Sequence, residues 1–247
     1  MKTSNHLLRR LTAALLAAVL ALSIALPVFA SDDGDTIYIN SVSDLLSLAK
    51  SCAYDQWSVG KTVILQKDLS LEGMLWEPIP SFSGQFKGNG HTISDLTITG
   101  QYSPAGLFGI VEEQGSIESL SVRGIVSVSD SADTTTGGIV GINHGTLINC
   151  QFTGVVTGDS EVGGIVGRNE SEGTIDHSTA RAIVTGKSST GGIAGYNLGA
   201  ITGCTNVGSI NTEYQEASLD TDGFTAKMVD YIHNKMAAAD NDATNSV

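Results

Sequence analysis

Short apolar runs, separated by glycine, asparagine, threonine and serine, recur through the middle of this 247-residue chain. The runs alternate apolar and polar residues and are rich in valine and isoleucine, a pattern typical of β-strands. Three successive stretches repeat the same order of residues, and they begin GGIVGIN, GGIVGRN and GGIAGYN. A looser copy, beginning AGLFG, precedes them. The pattern therefore predicts a repeat protein built from short β-strands.

The spacing of the copies indicates how the strands are arranged. The copies begin at residues 105, 137, 163 and 191, which places them 32, 26 and 28 residues apart. Repeats of this length are typical of solenoids, in which each copy stacks on the one before it. Many glycines and no 3.6-residue periodicity argue against helical repeats, and an aromatic content of 6% argues against a propeller. We expect an all-β fold, a single-stranded parallel β-helix of about six coils, right-handed because parallel crossover connections almost always are.

One column of the aligned repeats is occupied by asparagine, at Asn143, Asn169 and Asn197. Asparagine adopts left-handed backbone angles more readily than most residues, and its side-chain amide can bond an identical amide one coil away. A row of amides is also a candidate ligand site, but stacked turn residues are the simpler interpretation. We predict a structural ladder.

A second column holds Leu120, Cys150, Ser178 and Cys204. In a stack whose strands are about 4.8 Å apart, Cys150 and Cys204 lie two coils apart, at roughly 9–10 Å. A disulfide requires Cα atoms within about 7 Å. We therefore predict that these small side chains fill the interior of the coil and form no disulfide.

The motifs GGIVGxN, TxxNC and GxVxG within residues 62–212 resemble the GLUG-motif repeat. That repeat is found in bacterial secreted and surface proteins, including some IgA-specific metallopeptidases, where it is an accessory region. The segments FSGQFKGNGHTISDLTI and AGLFG are similar to the first coils of such proteins. The resemblance implies the β-helix architecture. Because the family has no agreed activity, the resemblance implies no catalytic residues.

The N-terminal part of the chain departs from the repeat. Residues 1–30 have the basic start, the apolar core and the small-residue cleavage site of a secretion signal. Residues 31–61 predict a strand and then a capping helix that begins at Ser41. The β-helix is predicted over residues 62–212. Its repeats are expected at 105–136, 137–162, 163–190 and 191–212.

The C-terminal residues 213–247 depart from the repeat as well. Phe224, Met228, Ile232 and Met236 follow one another at four-residue spacing, which predicts an amphipathic helix. We expect this helix to close the last coil, because the end of a solenoid exposes its core. The residues beyond it are expected to be frayed. A linker to further repeats is the alternative interpretation.

The charge of the chain limits its partners. The chain carries 13 Lys and Arg residues against 26 Asp and Glu residues, and cleavage after residue 30 would remove three of the basic ones. So acidic a surface disfavours nucleic acid and anionic membranes as partners. We expect a secreted or cell-surface monomer that is not inserted in a membrane once its signal is removed. Its partner is expected to be an extracellular protein or glycan.

The sequence contains no HExxH, GxSxG, P-loop or CxxC pattern. His91 follows a tight Gly88–Gly90 turn, but the repeat predicts no carboxylate beside it. The best charged cluster that the alignment suggests is Asp176 with Arg168 and Arg181. We predict no catalytic residue, no metal, no cofactor and no enzymatic activity. A carbohydrate-active enzyme is the alternative, since parallel β-helices include polysaccharide lyases and hydrolases.

Loops at one edge of the coils are the predicted interaction surface, because loops carry function more often than stacked strands do. Residues 130–136 are polar and lack an apolar anchor, so we expect them to loop out of the coil beside 158–161 and 186–190. The candidate contact residues are Asp130, Asp133, Asp159 and Glu161. The predicted function is adhesion or interaction by a non-enzymatic module. The head of a larger, anchored surface protein is a further alternative.

Overall fold

The computed structural model describes residues 35–54, 56–128 and 134–211. The predicted signal peptide, the predicted closing helix, and Asp130 and Asp133 lie outside the described residues. Within the described ranges the chain forms twenty-two short strands and one helix. All strand pairs there are parallel. They build a parallel β-solenoid of about 6 turns, which confirms the predicted fold class.

Four parallel sheets form the faces of the solenoid, and a full repeat passes through them in the order I to IV. Sheet I contains Thr135–Gly137, Glu161–Gly163 and Thr190–Gly191. Sheet II contains Ile79–Phe82, Phe108–Val111, Val140–Asn143, Val166–Asn169 and Ala194–Asn197. Sheet III contains Thr36–Ile39, Thr62–Leu65, Gln85–Lys87, Ser116–Glu118, Thr146–Ile148, Thr174–Asp176 and Ala200–Thr202. Sheet IV contains Leu69–Ser70, Thr92–Gly100, Ser121–Val128, Gln151–Thr157, Thr179–Thr185, Thr205–Asn206 and Ser209–Ile210.

The register of the strands follows the alignment of the repeats. In sheet II, Val140 pairs with Phe108 on one side and with Val166 on the other, and Val166 pairs with Ala194. These pairs differ by 32, 26 and 28 residues, the same offsets that separate the starts of the repeats. Each repeat is therefore one coil, and equivalent residues lie directly above one another.

Inward-pointing side chains fill the solenoid. In the strand Gln151–Thr157 every second residue is buried, from Phe152 to Val156. The aromatic rings of Phe82, Phe86 and Phe108 cluster in the N-terminal half, with centroids 5.3–6.3 Å apart. Burial of a large apolar side chain contributes roughly 1.5–3 kcal/mol relative to its exposure. The continuous core is therefore the main source of stability.

Helix α1, Val42–Ser51, packs at the N-terminal end of the stack. Ser41 is its N-cap, and the Ser41 hydroxyl accepts a hydrogen bond from the Asp44 amide at 3.2 Å, as the capping pattern predicts. Leu45 and Leu48 are buried on the inner face of the helix. The helix contacts the first strands of sheets II and III. It therefore covers apolar surface where the stack begins.

Left-handed backbone angles occur in a different column from the predicted one. The asparagine column lies in the strands of sheet II, and none of its members has a positive φ. In the four repeats only two residues connect the strand of sheet III to the strand of sheet IV, so the chain must turn sharply there. The residues with positive φ at this turn are Ser119 (51°), Asn149 (51°), His177 (46°) and Gly203 (63°).

Residues 134–136 do not loop out of the coil, contrary to the prediction. Thr135–Gly137 is a strand of sheet I, and Thr134 and Thr136 are buried. The Thr134 hydroxyl accepts a hydrogen bond from the Asp159 amide of the next coil at 2.8 Å. The branched side chain of threonine suits a strand, and the Thr134 hydroxyl finds a partner inside the stack, whereas the Thr136 hydroxyl is the one buried side-chain oxygen or nitrogen of the described residues that has none.

Cys150 lies buried in the second column, between its neighbours in adjacent coils. The Cys150 amide donates to Ser178 Oγ at 3.1 Å, and the Ser178 amide donates to Cys204 Sγ at 3.4 Å. Cys52, Cys150 and Cys204 are all free thiols. Burial raises the pKa of Cys150 to about 12 and that of Cys52 to about 11.

We predict that Cys150 reacts with iodoacetamide at pH 8 at least a hundredfold more slowly in the folded chain than after denaturation. The reason is that the thiolate is the reactive form, and burial suppresses both ionisation and access. Mass spectrometry of timed, quenched samples measures the rate at each cysteine. Three alkylated sites after denaturation without reductant confirm free thiols. Comparable folded and denatured rates at Cys150 would contradict the prediction.

Candidate functional site

A cavity of about 370 Å³ opens beside sheet I. Its lining comes from three successive coils, because the strand Thr135–Gly137 pairs with Glu161–Gly163, which pairs in turn with Thr190–Gly191. The lining residues are Thr135, Ser160, Glu161, Arg168, Ser188 and Ser189. Parts of all three segments predicted to form one edge, 130–136, 158–161 and 186–190, therefore meet at this cavity.

A bidentate ion pair between Arg168 and Glu161 forms one wall of the cavity. Arg168 Nε donates to Glu161 Oε2 at 2.7 Å, and Arg168 Nη2 donates to Glu161 Oε1 at 2.5 Å. The Thr135 hydroxyl donates to Glu161 Oε2 at 3.1 Å, and Glu170 Oε1 accepts from Arg168 Nη1 at 3.4 Å. Hydrogen bonding to Glu161 raises the pKa of Arg168 above its usual value, so the guanidinium stays charged. The carboxylate and the guanidinium are thus held in fixed orientations.

Tyr196 places an aromatic ring beside this ion pair. Tyr196 pairs with Arg168 across sheet II, one coil further along the chain. The Arg168 guanidinium lies 5.1 Å from the ring centroid, a cation–π contact that further orients the arginine. The tyrosine is 39% exposed. Sequence reasoning missed this residue, although the aligned copies GGIVGRN and GGIAGYN place it in the same column as Arg168.

A second ion pair lies next to the cavity lining. Lys187 Nζ is 2.6 Å from Asp159 Oδ1, and the Asp159 side chain is only 12% exposed. The amides of Lys187 and Ser188 donate to the Asp159 carbonyl at 2.9 and 3.1 Å. Both candidate acids that the structure describes, Asp159 and Glu161, are therefore held in place by a basic side chain.

The charged cluster suggested by the alignment is wrong. Arg168 bonds to Glu161 and Glu170, and Asp176 pairs instead with His177, whose Nδ1 lies 2.8 Å from Asp176 Oδ1. Arg181 belongs to a strand of sheet IV, whereas Arg168 belongs to sheet II. Asp176 lies in a third sheet, sheet III, so the three residues are distributed over three faces of the coil and form no cluster.

His91 does have a carboxylate beside it, contrary to the expectation. Its Nδ1 lies 3.1 Å from Asp68 Oδ1, and the Thr92 amide donates to the same oxygen at 2.9 Å. The bonds from Thr92 and His91 lower the pKa of Asp68. The Asp68 side chain is 72% exposed, and such surface pairs contribute little to stability. The predicted turn before His91 is present, with positive φ at Asn89 and Gly90.

The asparagine column is a hydrogen-bonded ladder inside the solenoid. Asn143 Nδ2 donates to Asn169 Oδ1 at 2.7 Å, and Asn169 Nδ2 donates to Asn197 Oδ1 at 2.8 Å. The same two Nδ2 groups also donate to the carbonyls of Gly145 and Gly173, each at 3.1 Å. Asn143 and Asn169 are completely buried. The ladder thus satisfies its amides with one another and with the backbone.

The described parts of the chain contain neither a metal-binding cluster nor a membrane-spanning helix. Across residues 35–54, 56–128 and 134–211, no three His, Cys, Asp or Glu side chains are grouped so as to hold a metal ion. In these same ranges no helix has the length and apolar character needed to cross a membrane.

The chain carries the GLUG motif, whose family profile matches residues 158–185. This segment supplies Ser160, Glu161 and Arg168 to the cavity. The resemblance seen in the sequence is therefore confirmed for the coil that contributes most to the site.

Two relatives share part of the chain. Halomucin of Haloquadratum walsbyi is 36% identical over 155 residues, which cover 58% of this chain and 2% of halomucin. A protein of Evansella cellulosilytica named "Putative Gly-rich membrane protein" is 30% identical over 137 residues, which cover 40% of this chain and 16% of that protein. The chain thus spans a small fraction of either relative. A crystal structure described as a "putative immunoglobulin A1 protease" from Bacteroides ovatus aligns over 75% of this chain and 80% of its own, with 16% identity and a TM-score of 0.45.

Proposed function

We propose that this chain, a parallel β-solenoid with GLUG-motif repeats, is a secreted or cell-surface interaction module that binds neutral glycans at the Glu161–Arg168 cavity. One observation carries the proposal, namely the lining of that cavity by four hydroxyl side chains, a fixed carboxylate and a fixed guanidinium. Sugars present adjacent hydroxyl groups that both donate and accept hydrogen bonds. A carboxylate has about four lone-pair sites and a guanidinium has five N–H donors, so both groups keep hydrogen-bonding capacity beyond the bonds that they make to each other.

The charges around the cavity favour an uncharged ligand. Asp159, Glu161 and Glu170 face Arg168 and Lys187, which leaves three acidic against two basic side chains. The chain as a whole has a formal charge of −13. A sulfated or otherwise anionic glycan would be repelled by this field, whereas a neutral glycan would not. Tyr196 adds a partly exposed ring, and such rings offer both apolar contact and a polar end.

A binding role fits the arrangement of the acids better than catalysis does. Glycoside hydrolases place two carboxylates on either side of the bond they break. Here Glu161 and Glu170 both contact the guanidinium of Arg168, an arrangement suited to holding that side chain. A carbohydrate-active enzyme is the alternative function, and it would release smaller sugars from its ligand.

A location outside the cytoplasm is supported by two further observations. The first 30 residues have the pattern of a secretion signal. One of the two relatives carries a name that identifies it as a membrane protein. Adhesion follows from this location if the ligand belongs to another cell or to an extracellular matrix.

Arg168→Lys and Glu161→Gln are each expected to weaken binding of a neutral oligosaccharide at least tenfold. A hydrogen bond to a charged group contributes about 1.5–3 kcal/mol, and about 1.4 kcal/mol corresponds to a factor of ten in affinity. The probe is chosen by screening the labelled chain on an array of neutral and sulfated glycans. The affinity of the strongest neutral oligosaccharide is then measured by calorimetry for each variant.

Glu113→Gln is the matched control, because Glu113 is an exposed acid outside the cavity. This variant should bind as the unmodified chain does, and all variants should unfold at similar temperatures. Binding only to sulfated glycans, or equal loss in all three variants, would contradict the proposed site. Release of smaller sugars by the unmodified chain, abolished by Glu161→Gln, would instead support the enzyme.

A further inference from the structure

The last described coil, Ser188–Asn211, leaves large apolar side chains exposed. Ile201 and Ile210 pair with Ile175 and Val184, which are completely buried one coil earlier. In the last coil the same columns are 38% and 42% exposed. Other exposed apolar residues of this coil are Leu198 (54%) and Val207 (57%). The core columns thus continue into a coil that has no further coil stacked on it among the described residues.

The same coil contains no charged residue. Between Ser188 and Asn211 there is no Asp, Glu, Lys, Arg or His, whereas the coil before it, Glu161–Lys187, contains seven Asp, Glu, Lys and Arg residues. Proteins commonly protect exposed sheet edges with charged side chains, because an open edge offers unpaired backbone groups to other chains. A neutral, apolar end in so acidic a chain indicates a surface that is covered in the native protein.

We infer that residues 224–236 of this same chain dock on that coil and cover it. Phe224, Met228, Ile232 and Met236 would form one apolar stripe on a helix about 20 Å long. The twelve residues from Thr212 to Gly223 span up to about 40 Å when extended, so the segment can fold back over the coil to which it is joined.

The opposite end of the stack has an equivalent cover. Helix α1 places Leu45 and Leu48 against the first strands of two sheets, and both side chains are buried there. Its length of ten residues is comparable to that of the thirteen-residue segment 224–236. A solenoid needs such a cap at each end because its terminal coils expose core positions.

Cys204 is a native reporter for this contact, because it lies in the last coil and is partly buried. The full chain is compared with the double variant Phe224→Asp, Ile232→Asp, which places two acids on the apolar stripe. We expect the alkylation rate of Cys204 to rise at least fivefold in this variant, together with increased binding of an apolar dye. Alkylation of Cys150, deep in the stack, should stay slow and so report that the solenoid remains folded.

Ala226→Asp with Ala237→Asp is the matched control, since both positions lie opposite the stripe on the predicted helix. It adds the same charge and should leave the Cys204 rate unchanged. An unchanged Cys204 rate in the stripe variant, or an equal rise in both variants, overturns the inference. Protection of Cys204 that increases with protein concentration would assign the surface to a second copy and also overturns it.

Hydrogen exchange on the unmodified full chain provides a measurement that needs no variant. Docking predicts slow exchange at the amides of Met228 and Ile232. Exchange there at the rate of an unstructured peptide would overturn the inference even if the stripe variant failed to fold. Neither cysteine alkylation nor hydrogen exchange depends on glycan binding. This inference and the proposed function can therefore fail independently of each other.

Discussion

Asn169→Asp is expected to destabilise the solenoid by about 3–5 kcal/mol at pH 7, because it leaves a charge buried without a counter-charge. Asn169 is completely buried at the centre of the asparagine ladder. Its Nδ2 donates to Asn197 Oδ1 and to the Gly173 carbonyl. An ionised carboxylate has no proton to donate, so both acceptors would face a negative charge. Denaturant unfolding monitored by circular dichroism measures the loss.

The loss should depend on pH in a defined direction. A carboxyl group buried in this position has a folded-state pKa above its unfolded value of about 3.9. Below the unfolded pKa the group is protonated in both states, and the variant loses least. As the pH rises from about 4 towards 7, the unfolded state releases the proton more readily than the folded state, so stability falls relative to the unmodified chain. Unfolding curves at pH 4 and pH 7 test the sign.

Asn197→Asp is the control in the same column. Asn197 is exposed in the last coil and accepts the bond from Asn169, a role that a carboxylate retains. We expect a loss of about 1 kcal/mol or less, as for most exposed substitutions. Equal losses at the two positions, or a loss at Asn169 that does not vary with pH, would contradict a buried ladder.

Gly154→Ala is expected to cost about 3 kcal/mol or more, the second large effect. Gly154 has a φ of +150°, and a Cβ built there would lie 1.8 Å from the carbonyl oxygen of Gly124 in the preceding coil. The backbone of Gly154 fixes the position of the added Cβ, and the Gly124 oxygen is itself a backbone atom. The two coils must therefore separate to admit a methyl group. Backbone strain of about 1–3 kcal/mol adds to an overpacking cost of about 1–3 kcal/mol. Thermal and denaturant unfolding measure the change.

Gly73→Ala separates the two contributions. Gly73 also has a positive φ, +75°, but a Cβ there meets no atom within 4 Å. This variant should therefore lose only the conformational cost of about 1–2 kcal/mol. If Gly154→Ala destabilises the chain no more than Gly73→Ala does, the result would contradict the close packing of the two coils at Gly154.

The repeats predicted the fold well because residues at a fixed spacing can all be buried together only if successive copies stack in register. The offsets of 32, 26 and 28 residues reappear in the strand pairs of sheet II. The same reasoning predicted that amides of Asn143, Asn169 and Asn197 would bond from coil to coil. It assigned the wrong turn to left-handed angles, because alignment identifies columns but does not reveal which column turns the chain.

The site was less predictable, since it depends on residues that differ between the repeats. Glu161 and Asp159 were candidates as loop acids, but their partners Arg168 and Lys187 were not foreseen. Repeat alignment places equivalent residues above one another. It does not show which side chain of one sheet reaches a neighbouring sheet of the same coil.

The sequence by itself determined the solenoid, its coil boundaries and its inward columns. The reason is that the repeated apolar positions can all be buried in only one register of the stacked strands. Only the tertiary structure decided that Arg168 of sheet II bonds to Glu161 of sheet I, and that His91 meets Asp68. These contacts join residues 7 and 23 positions apart, and alignment of the copies does not place either pair together. Their geometry depends on the exact direction of each side chain at the turns, which only the folded backbone sets.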